Sequence, residues 1–443
     1  MKTKPILFVA LFISIATFSQ KKWTLKECVD QALEKNISIQ QNKLSLELSK
    51  KDVEIAKGNF LPYLGASSSG TFNSGLSQDE SGVLKNTNNF SSSLGLGFSG
   101  VIFNGYVNTN TYKQAQLGVE SSVLDLKKIE NDISLFVVNG YLNVLFAKEN
   151  LKAAQVQFEI SSKQIDAVKT RFESGVIPKG DLLNAQSTAA TDQQAVITQE
   201  NALDLALLNL AQLLQIPVNN FDVASINVDS PSAILLYENS DVVFEKSLTR
   251  MPEIKRAELA IENADLSIAI SKGAFLPTLS YSLNAGSSYY HQFNNLVFNQ
   301  KNASYFSQFE DRLQYGAGFS LSIPIFNRFQ TKNSVAKSKI NKEISITQLE
   351  SEKLNLKQTI EQAFLDVKSA LKTFEASKIS LEAQKEAFKN AQESYNYGAM
   401  TLFDFDLVRT RLVNAEASLI SSKYDYIFKT KVLQFYSGEL EMD

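Results

Sequence analysis

The sequence predicts a mainly α-helical chain with a membrane β-barrel component, built from two tandem halves with two strands each. Three observations predict it. Two stretches, 105–175 and 327–398, hold no proline and almost no glycine, and both repeat their apolar residues every seven positions. Four segments of about ten residues or more alternate apolar and polar side chains, the pattern of half-buried or barrel strands. Finally, the chain repeats itself. "KGNFLP" at 57–62 returns as "KGAFLP" at 272–277, and "VIFNGY" at 101–106 returns as "PIFNRF" at 324–329. "CVDQALEKNISIQ" resembles "VFEKSLTRMPEIK", and "ESGVIPKGDLLNAQ" resembles "NYGAMTLFDFDLVR". The offset is 215 residues from Pro62 to Pro277 and 223 from Ile102 to Ile325, so the second half carries about eight extra residues between Pro277 and Ile325.

Residues 1–20 read as a secretory signal: Lys2 and Lys4, then an apolar stretch from Ile6 to Ile15 too short to span a bilayer, then Thr17 and Ser19 near a cleavage point. The first repeat then covers 21–225. It has helices first, strands at about 60–74 and 88–103, and a long helical hairpin over 105–214. In the second strand Phe90, Leu94, Leu96 and Phe98 oppose Asn89, Ser91, Ser93, Gly95, Gly97 and Ser99. The second repeat covers 226–443, with strands at about 276–290 and 311–326 and a hairpin over 327–437.

At 1.5 Å per residue, 70 helical residues would reach about 105 Å. Leu151, Phe158, Ile165 and Phe172 mark one heptad seam, with Ala154, Ser161 and Val168 between them. Phe374, Leu381, Phe388 and Tyr395 mark the other, with Ser377, Gln384 and Ala391. A sustained seven-residue period means coiled-coil packing. Gly175 and Gly398 suit left-handed helix ends. Asp181 and Asp404 suit the starts of the return helices, where they cap or oppose the helix dipole.

Composition excludes several function classes. With 44 Lys+Arg against 47 Asp+Glu there is no basic face for nucleic acid. One Cys and one His cannot make a disulfide framework or a zinc site. Cys28 reads as a small buried apolar residue, and His291 as a solvated side chain in the 287–306 loop. Around it Tyr289, Tyr290, Phe293, Tyr305 and Phe306 suit an interfacial aromatic girdle. "GLGFSG" at 95–100 spells G-x-G-x-x-G, but its glycines sit on the polar face of an alternating strand, with no helix start inside it. No nucleophile, acid/base pair or phosphate loop stands in a credible context, so no enzyme, cofactor or metal is expected.

Four strands cannot close a barrel, and an open sheet edge is not tolerated in lipid. Three copies give twelve strands, an even number within the known range, and six hairpins that can form a helical cylinder. The chain would enter the membrane at "FLP" and leave it at "IFN". A soluble periplasmic structural or adhesive coiled coil is the alternative. The tip loops carry Gly175, Val176, Ile177, Gly398, Met400 and Leu402, whose apolar members are expected to be exposed and to meet a partner.

Taken together, "TLKECVDQALEKN", the paired "KGxFLP", the paired "IFN" and "ESGVIPKGDLLNAQ" resemble the TolC-like outer membrane efflux proteins over about 24–437. The resemblance implies a homotrimer in outer membrane lipid, with a periplasmic helical tunnel. It implies docking to a periplasmic adaptor and an inner-membrane pump, for efflux of small molecules or for type I secretion. It places Asp404 at the periplasmic entrance, with Asp181 and Tyr395 in a latch. Asp406 lies beside the second family aspartate position, which is Leu407 here, and Met400 stands where the family has an arginine.

Overall fold

The computed structural model describes residues 22–78, 82–225, 237–293 and 303–439; the expected signal segment and positions 294–302 of the 287–306 loop lie outside them. In order, the elements are β1 (Lys22–Trp23), α1 (Leu25–Lys35), α2 (Ile37–Gly58), β2 (Tyr63–Gln78), β3 (Leu84–Asn104), α3 (Val107–Glu173), α4 (Lys179–Leu214) and β4 (Asp222–Val223). Then follow α5 (Ser240–Arg250), α6 (Pro252–Gly273), β5 (Thr278–Gln292), α7 (Tyr305–Asp311), β6 (Gln314–Ser322), α8 (Gln330–Asn396) and α9 (Leu402–Ser437). Among the described residues no helix is long and apolar enough to cross a membrane. The chain divides into two compact units, one holding 127–251 and 353–439 with the N-terminal segment to 41, the other holding 42–126 and 252–352.

The first unit is helical around a small two-stranded parallel sheet, β1 beside β4, that the sequence pattern did not announce. Its start is fixed locally: Thr24 and Glu27 form a reciprocal capping box that satisfies the first free amides of α1. Tyr141 of α3 is fully buried, and its hydroxyl lies within hydrogen-bond distance of the Trp23 and Ala224 carbonyls, at 3.2 and 2.7 Å. Lys148 donates to the Val223 carbonyl at 2.8 Å and pairs with Asp222. Cys28 is fully buried, as expected of a small apolar residue. Ser247 of α5 donates to the Tyr436 carbonyl at 2.6 Å, and Arg250 donates to the carbonyls of Ser437 and Gly438, satisfying the end of α9.

The second unit is a four-stranded antiparallel sheet in the order β2-β3-β5-β6, with the flanking helix ends. The helix-to-strand switch at "FLP" has a local cause. Phe60 and Leu61 still bond back to the Lys57 and Gly58 carbonyls, and Phe275 and Leu276 do the same to Lys272 and Gly273. Pro62 and Pro277 then have no N–H to continue that turn. The strands therefore begin at Tyr63 and Thr278, slightly later than 60 and 276.

Four strand boundaries need larger corrections. The first hairpin is longer than 60–74 and 88–103: its ladder runs out to Gln78↔Leu84, where Asn and Ser side chains hydrogen-bond across the strands instead of showing apolar alternation. The last strand is shorter than 311–326. Asp311 belongs to α7, capped by Ser304, and β6 stops at Ser322, two residues before Pro324. Helix α7 lies between β5 and β6. "GLGFSG" lies wholly inside β3.

Candidate functional site at the hairpin tips

The site is built by the last turns of α3 and α8 and the first turns of α4 and α9, all within the first unit. Along α3 the heptad seam turns inward, with Ser161 and Val168 buried; along α8 Phe374, Leu381, Ala391 and Tyr395 are buried. Each long helix then ends in the same way. Gly175 donates to the Phe172 carbonyl and Val176 to the Arg171 carbonyl; Gly398 donates to Tyr395 and Ala399 to Ser394. These paired bonds define two Schellman ends. They require left-handed backbone, and Gly175 and Gly398 supply it at φ 74° and 75°.

The return helices start differently from each other. Thr401 caps α9: its hydroxyl accepts from the Asp404 amide at 3.2 Å and donates to Asp404 Oδ2 at 2.7 Å. Pro178 precedes α4 and makes no side-chain cap. Neither Asp181 nor Asp404 is the capping residue; each lies in the first turn, where a carboxylate faces the positive end of the helix dipole. Asp404 is exposed and Asp181 half-buried.

Between the turns sits one apolar cluster: Val168, Ala185, Ala391, Tyr395, Leu402 and Phe405, flanked by Ile165, Ile177, Leu182, Phe388, Met400 and Val408. This corrects the expectation of a uniformly exposed tip. Leu402 is buried at 4 % exposure, and Ile177 and Met400 pack against the cluster. Val176 remains exposed, together with Tyr397 and Phe403, which the sequence reading passed over. The spacing explains it: Leu402 and Phe405 share the inward stripe of α9, while Phe403 points away.

Tyr395 is the centre of the cluster. Its ring stacks on Phe405 with centroids 5.0 Å apart and planes at 20°. The Arg171 guanidinium also lies over the ring, 5.2 Å from its centroid. Burial raises the Tyr395 hydroxyl above the ordinary tyrosine range, with Arg171 and a Gln164 hydrogen bond pulling it back. The structure brings Tyr395 and Met400 into one cluster; Asp404 stands outside it on the exposed side.

Asp406 does not share the exposed side with Asp404. It is half-buried; Thr188 donates to it at 3.5 Å and Arg409 lies 3.6 Å away. Burial raises its carboxyl above the usual aspartate range; Arg409 and Thr188 oppose this, and Asp192 adds to it. Arg409 is the residue that the sequence reading missed. It is buried, its Nη2 lies 3.3 Å from Asp192, and the Gln157 amide, turned with its oxygen toward the guanidinium, accepts from Nη1 and Nε at 3.2 and 3.1 Å. The available signal was its spacing: Leu402, Phe405 and Arg409 fall at i, i+3 and i+7, so a cation sits on the apolar stripe.

The outer membrane efflux protein family model matches residues 28–214 and again 243–439. Outer membrane protein TolC of Escherichia coli (strain K12) is 24% identical over 99% of this chain and 87% of that protein. The Campylobacter jejuni CmeC outer membrane channel superposes with a TM-score of 0.71 at 20% identity, over 95% of this chain and 86% of that one. The outer-membrane channel OprN superposes with a TM-score of 0.76 at 17% identity, over 94% and 90%. With both halves matched by one family model and the fold shared with solved channels, the chain belongs to the outer membrane efflux protein family.

Proposed function

We propose that three copies of this outer membrane exit duct close a twelve-stranded barrel and that their six hairpins form a periplasmic tunnel entered at the tips. One observation carries the reading. Among the described residues the sheet ends on both sides in unpaired strands, β2 and β6, whose apolar side chains Leu64, Phe72, Tyr315, Phe319 and Leu321 are exposed. Open edges of this kind cannot stay in lipid, so copies must pair them.

The duct does no chemistry of its own. Cargo reaches it from an inner-membrane pump through a periplasmic adaptor, and the cargo class proposed is small molecules. Asp404, exposed at the start of α9, would stand three times around the entrance and draw cations. Tyr395, Asp181 and Asp406 would brace the closed tip from behind it. Gly175, Val176, Ile177, Gly398, Met400 and Leu402 shape the turns that an adaptor would meet, with Val176 as the exposed apolar contact.

The test is the mass of the mature chain purified in detergent from the outer-membrane fraction. A trimer is expected. A monomer or dimer recovered from the soluble periplasm would sink the duct and leave the sheet as an ordinary one.

A further inference from the structure

The two β-hairpins are the same object twice. Shifting β2 by the 215 residues from Pro62 to Pro277, and β3 by the 223 from Ile102 to Ile325, carries the pair Tyr63↔Ser99 onto Thr278↔Ser322 and Leu64↔Phe98 onto Leu279↔Leu321. Within the chain the first hairpin joins the second through β3 and β5, with Gly97 opposite Asn284. The strand equivalent to β3 is β6, and the strand equivalent to β5 is β2. Both are the unpaired edges of the sheet. Every residue of β6 is exposed, as is nearly all of β2.

Applying the same shifts to the β3–β5 pairing fixes how a second copy fits. We infer that a second copy of this chain adds its β2 to the free edge of β6 with Ser320 opposite Ser69 of that copy. This rests on the duct reading and adds its register. The faces agree. Ser320 pairs with Ser280, and Ser69 with Ser93, all on the polar face; Phe319 then falls opposite Gly70 and Ala317 opposite Phe72 on the apolar face. A slip of one residue would place Phe319 beside polar side chains, so only even slips compete.

The same equivalence accounts for the short last strand. β3 continues to Asn104, whose partner is Thr278 at the start of β5. The residues of the second half that correspond to the end of β3 are 323–327, and Ile323, Ile325 and Phe326 are exposed. Their strand partner would be the start of β2 in the second copy, so the strand expected to reach 326 is completed only there. The equivalence stops at the strand-to-helix junction. A Cβ on Gly105 would stand 2.3 Å from the Gly273 carbonyl oxygen, whereas the corresponding Arg328 carries a Cβ. Gly58 of the second copy therefore stands further from Arg328 than Gly273 does from Gly105.

Phe293, the residue after β5, donates to the Asn88 carbonyl of β3, so odd residues of β5 point their amides at β3 and the even Asn284 belongs to a non-hydrogen-bonded pair. The equivalent pair, Ser320 with Ser69, then has Cα atoms about 4.5 Å apart, within disulfide reach. The experiment is Ser69→Cys with Ser320→Cys in the full chain, oxidised in outer-membrane vesicles and run on non-reducing gels. Native Cys28 is fully buried and stays in place. Loss of the monomer band to dimer and trimer bands, reversed by reductant and absent in each single variant, is expected. Ser67→Cys or Thr71→Cys combined with Ser320→Cys should link little, since diagonal neighbours lie about 7–8 Å apart. A detergent trimer in which one of these shifted pairs links instead, or in which no pair links, overturns the register and leaves the duct standing. Absence of a trimer by mass removes the duct reading itself.

Discussion

Arg409 of α9 lies 3.3 Å from Asp192 of α4, with its side chain only 6 % exposed. The guanidinium also faces Asp406 and the Gln157 oxygen, so one cation holds groups from α3, α4 and α9. Removing one partner from a buried ion cluster leaves an uncompensated charge, at a cost of about 3–5 kcal/mol. Arg409→Ala should therefore loosen the tip, and exchange of the amides at 402–412 should rise by more than about 100-fold. Arg409→Met combined with Asp192→Asn and Asp406→Asn should recover most of the loss, because no unpaired charge remains. Unchanged exchange in Arg409→Ala would show that the cluster does not hold the tip.

Asp406 gives that region a pH dependence of defined sign. Its carboxyl is raised by burial, so the folded tip holds a proton at pH values where the unfolded chain has released it. Stability is then lost as pH rises from the ordinary aspartate value through the raised one, and recovered as pH falls through the same window. Asp192 still pairs with Arg409 when Asp406 is neutral, so Asp406→Asn leaves no uncompensated charge; it should remove that slope and make the tip more resistant than the wild type at neutral pH. Opening of residues 402–410 by hydrogen exchange, corrected for intrinsic rates, at several pH values is the measurement. An opposite slope would mean that the pairing with Arg409 outweighs burial.

Two glycines at the tips and one at the strand-to-helix junction separate backbone strain from crowding. Gly175 and Gly398 are left-handed, but a Cβ there meets nothing within 4 Å. Gly175→Ala and Gly398→Ala should each cost about 1–2 kcal/mol, the ordinary left-handed penalty. Gly105 is left-handed too, and its Cβ would stand 2.3 Å from the Gly273 carbonyl oxygen. Gly105→Ala should cost clearly more and lower the yield of protein in the outer membrane. Equal yields for all three variants would contradict the close approach.

Asp404 carries two separable roles. It faces the dipole of α9 beside its cap, and it projects as an exposed carboxylate. Thr401→Ala removes the cap, at about 1 kcal/mol, and keeps the charge. Asp404→Ala removes the charge and keeps the cap residue. In planar bilayers, block of channel current by divalent cations should weaken in Asp404→Ala and persist in Thr401→Ala and Asp404→Glu. Block that survives Asp404→Ala would place the entrance carboxylates elsewhere.

The elements whose periodicity repeats over many residues were legible in the sequence. The heptads of α3 and α8 and the alternation of Leu94, Leu96 and Phe98 each declare a face many times over. What escaped reading was decided by single contacts between distant segments. The β1–β4 pair is two residues long, and Tyr141 and Lys148 bind its Trp23 and Val223 carbonyls from far along the chain. The burial of Leu402 depends on Phe405 and Tyr395 meeting from different helices. Arg409 looked like one more surface cation, since nothing local to α9 announces Asp192 more than 200 positions earlier. The end of β6 escaped for another reason: the pattern at 323–326 is that of a strand, and its edge has no partner among the described residues of one chain.

The junctions at "IFN" store strain in a form that one substitution can release. Gly105 and Tyr106 are both left-handed, and so are Arg328 and Phe329, at φ 55° and 61°. Two consecutive non-glycine residues in that region each cost about 1–2 kcal/mol. The second is held by its ring: Phe103 meets Tyr106 edge-on at 5.3 Å and 89°, and Phe326 meets Phe329 at 5.5 Å and 89°. Lys332 also lies 5.9 Å from the Phe329 ring. Among the described residues Arg328 has no such ring contact, so its strain is the part that can be relieved. Arg328→Gly should stabilise the junction by about 0.5–1 kcal/mol after the greater freedom of glycine in the unfolded chain is subtracted. Phe329→Gly relieves the same backbone strain but loses both ring contacts, and should be neutral or destabilising. Hydrogen exchange of residues 328–334 in the two variants separates them. Faster exchange in Arg328→Gly would mean that its side chain holds the junction by a contact rather than straining it.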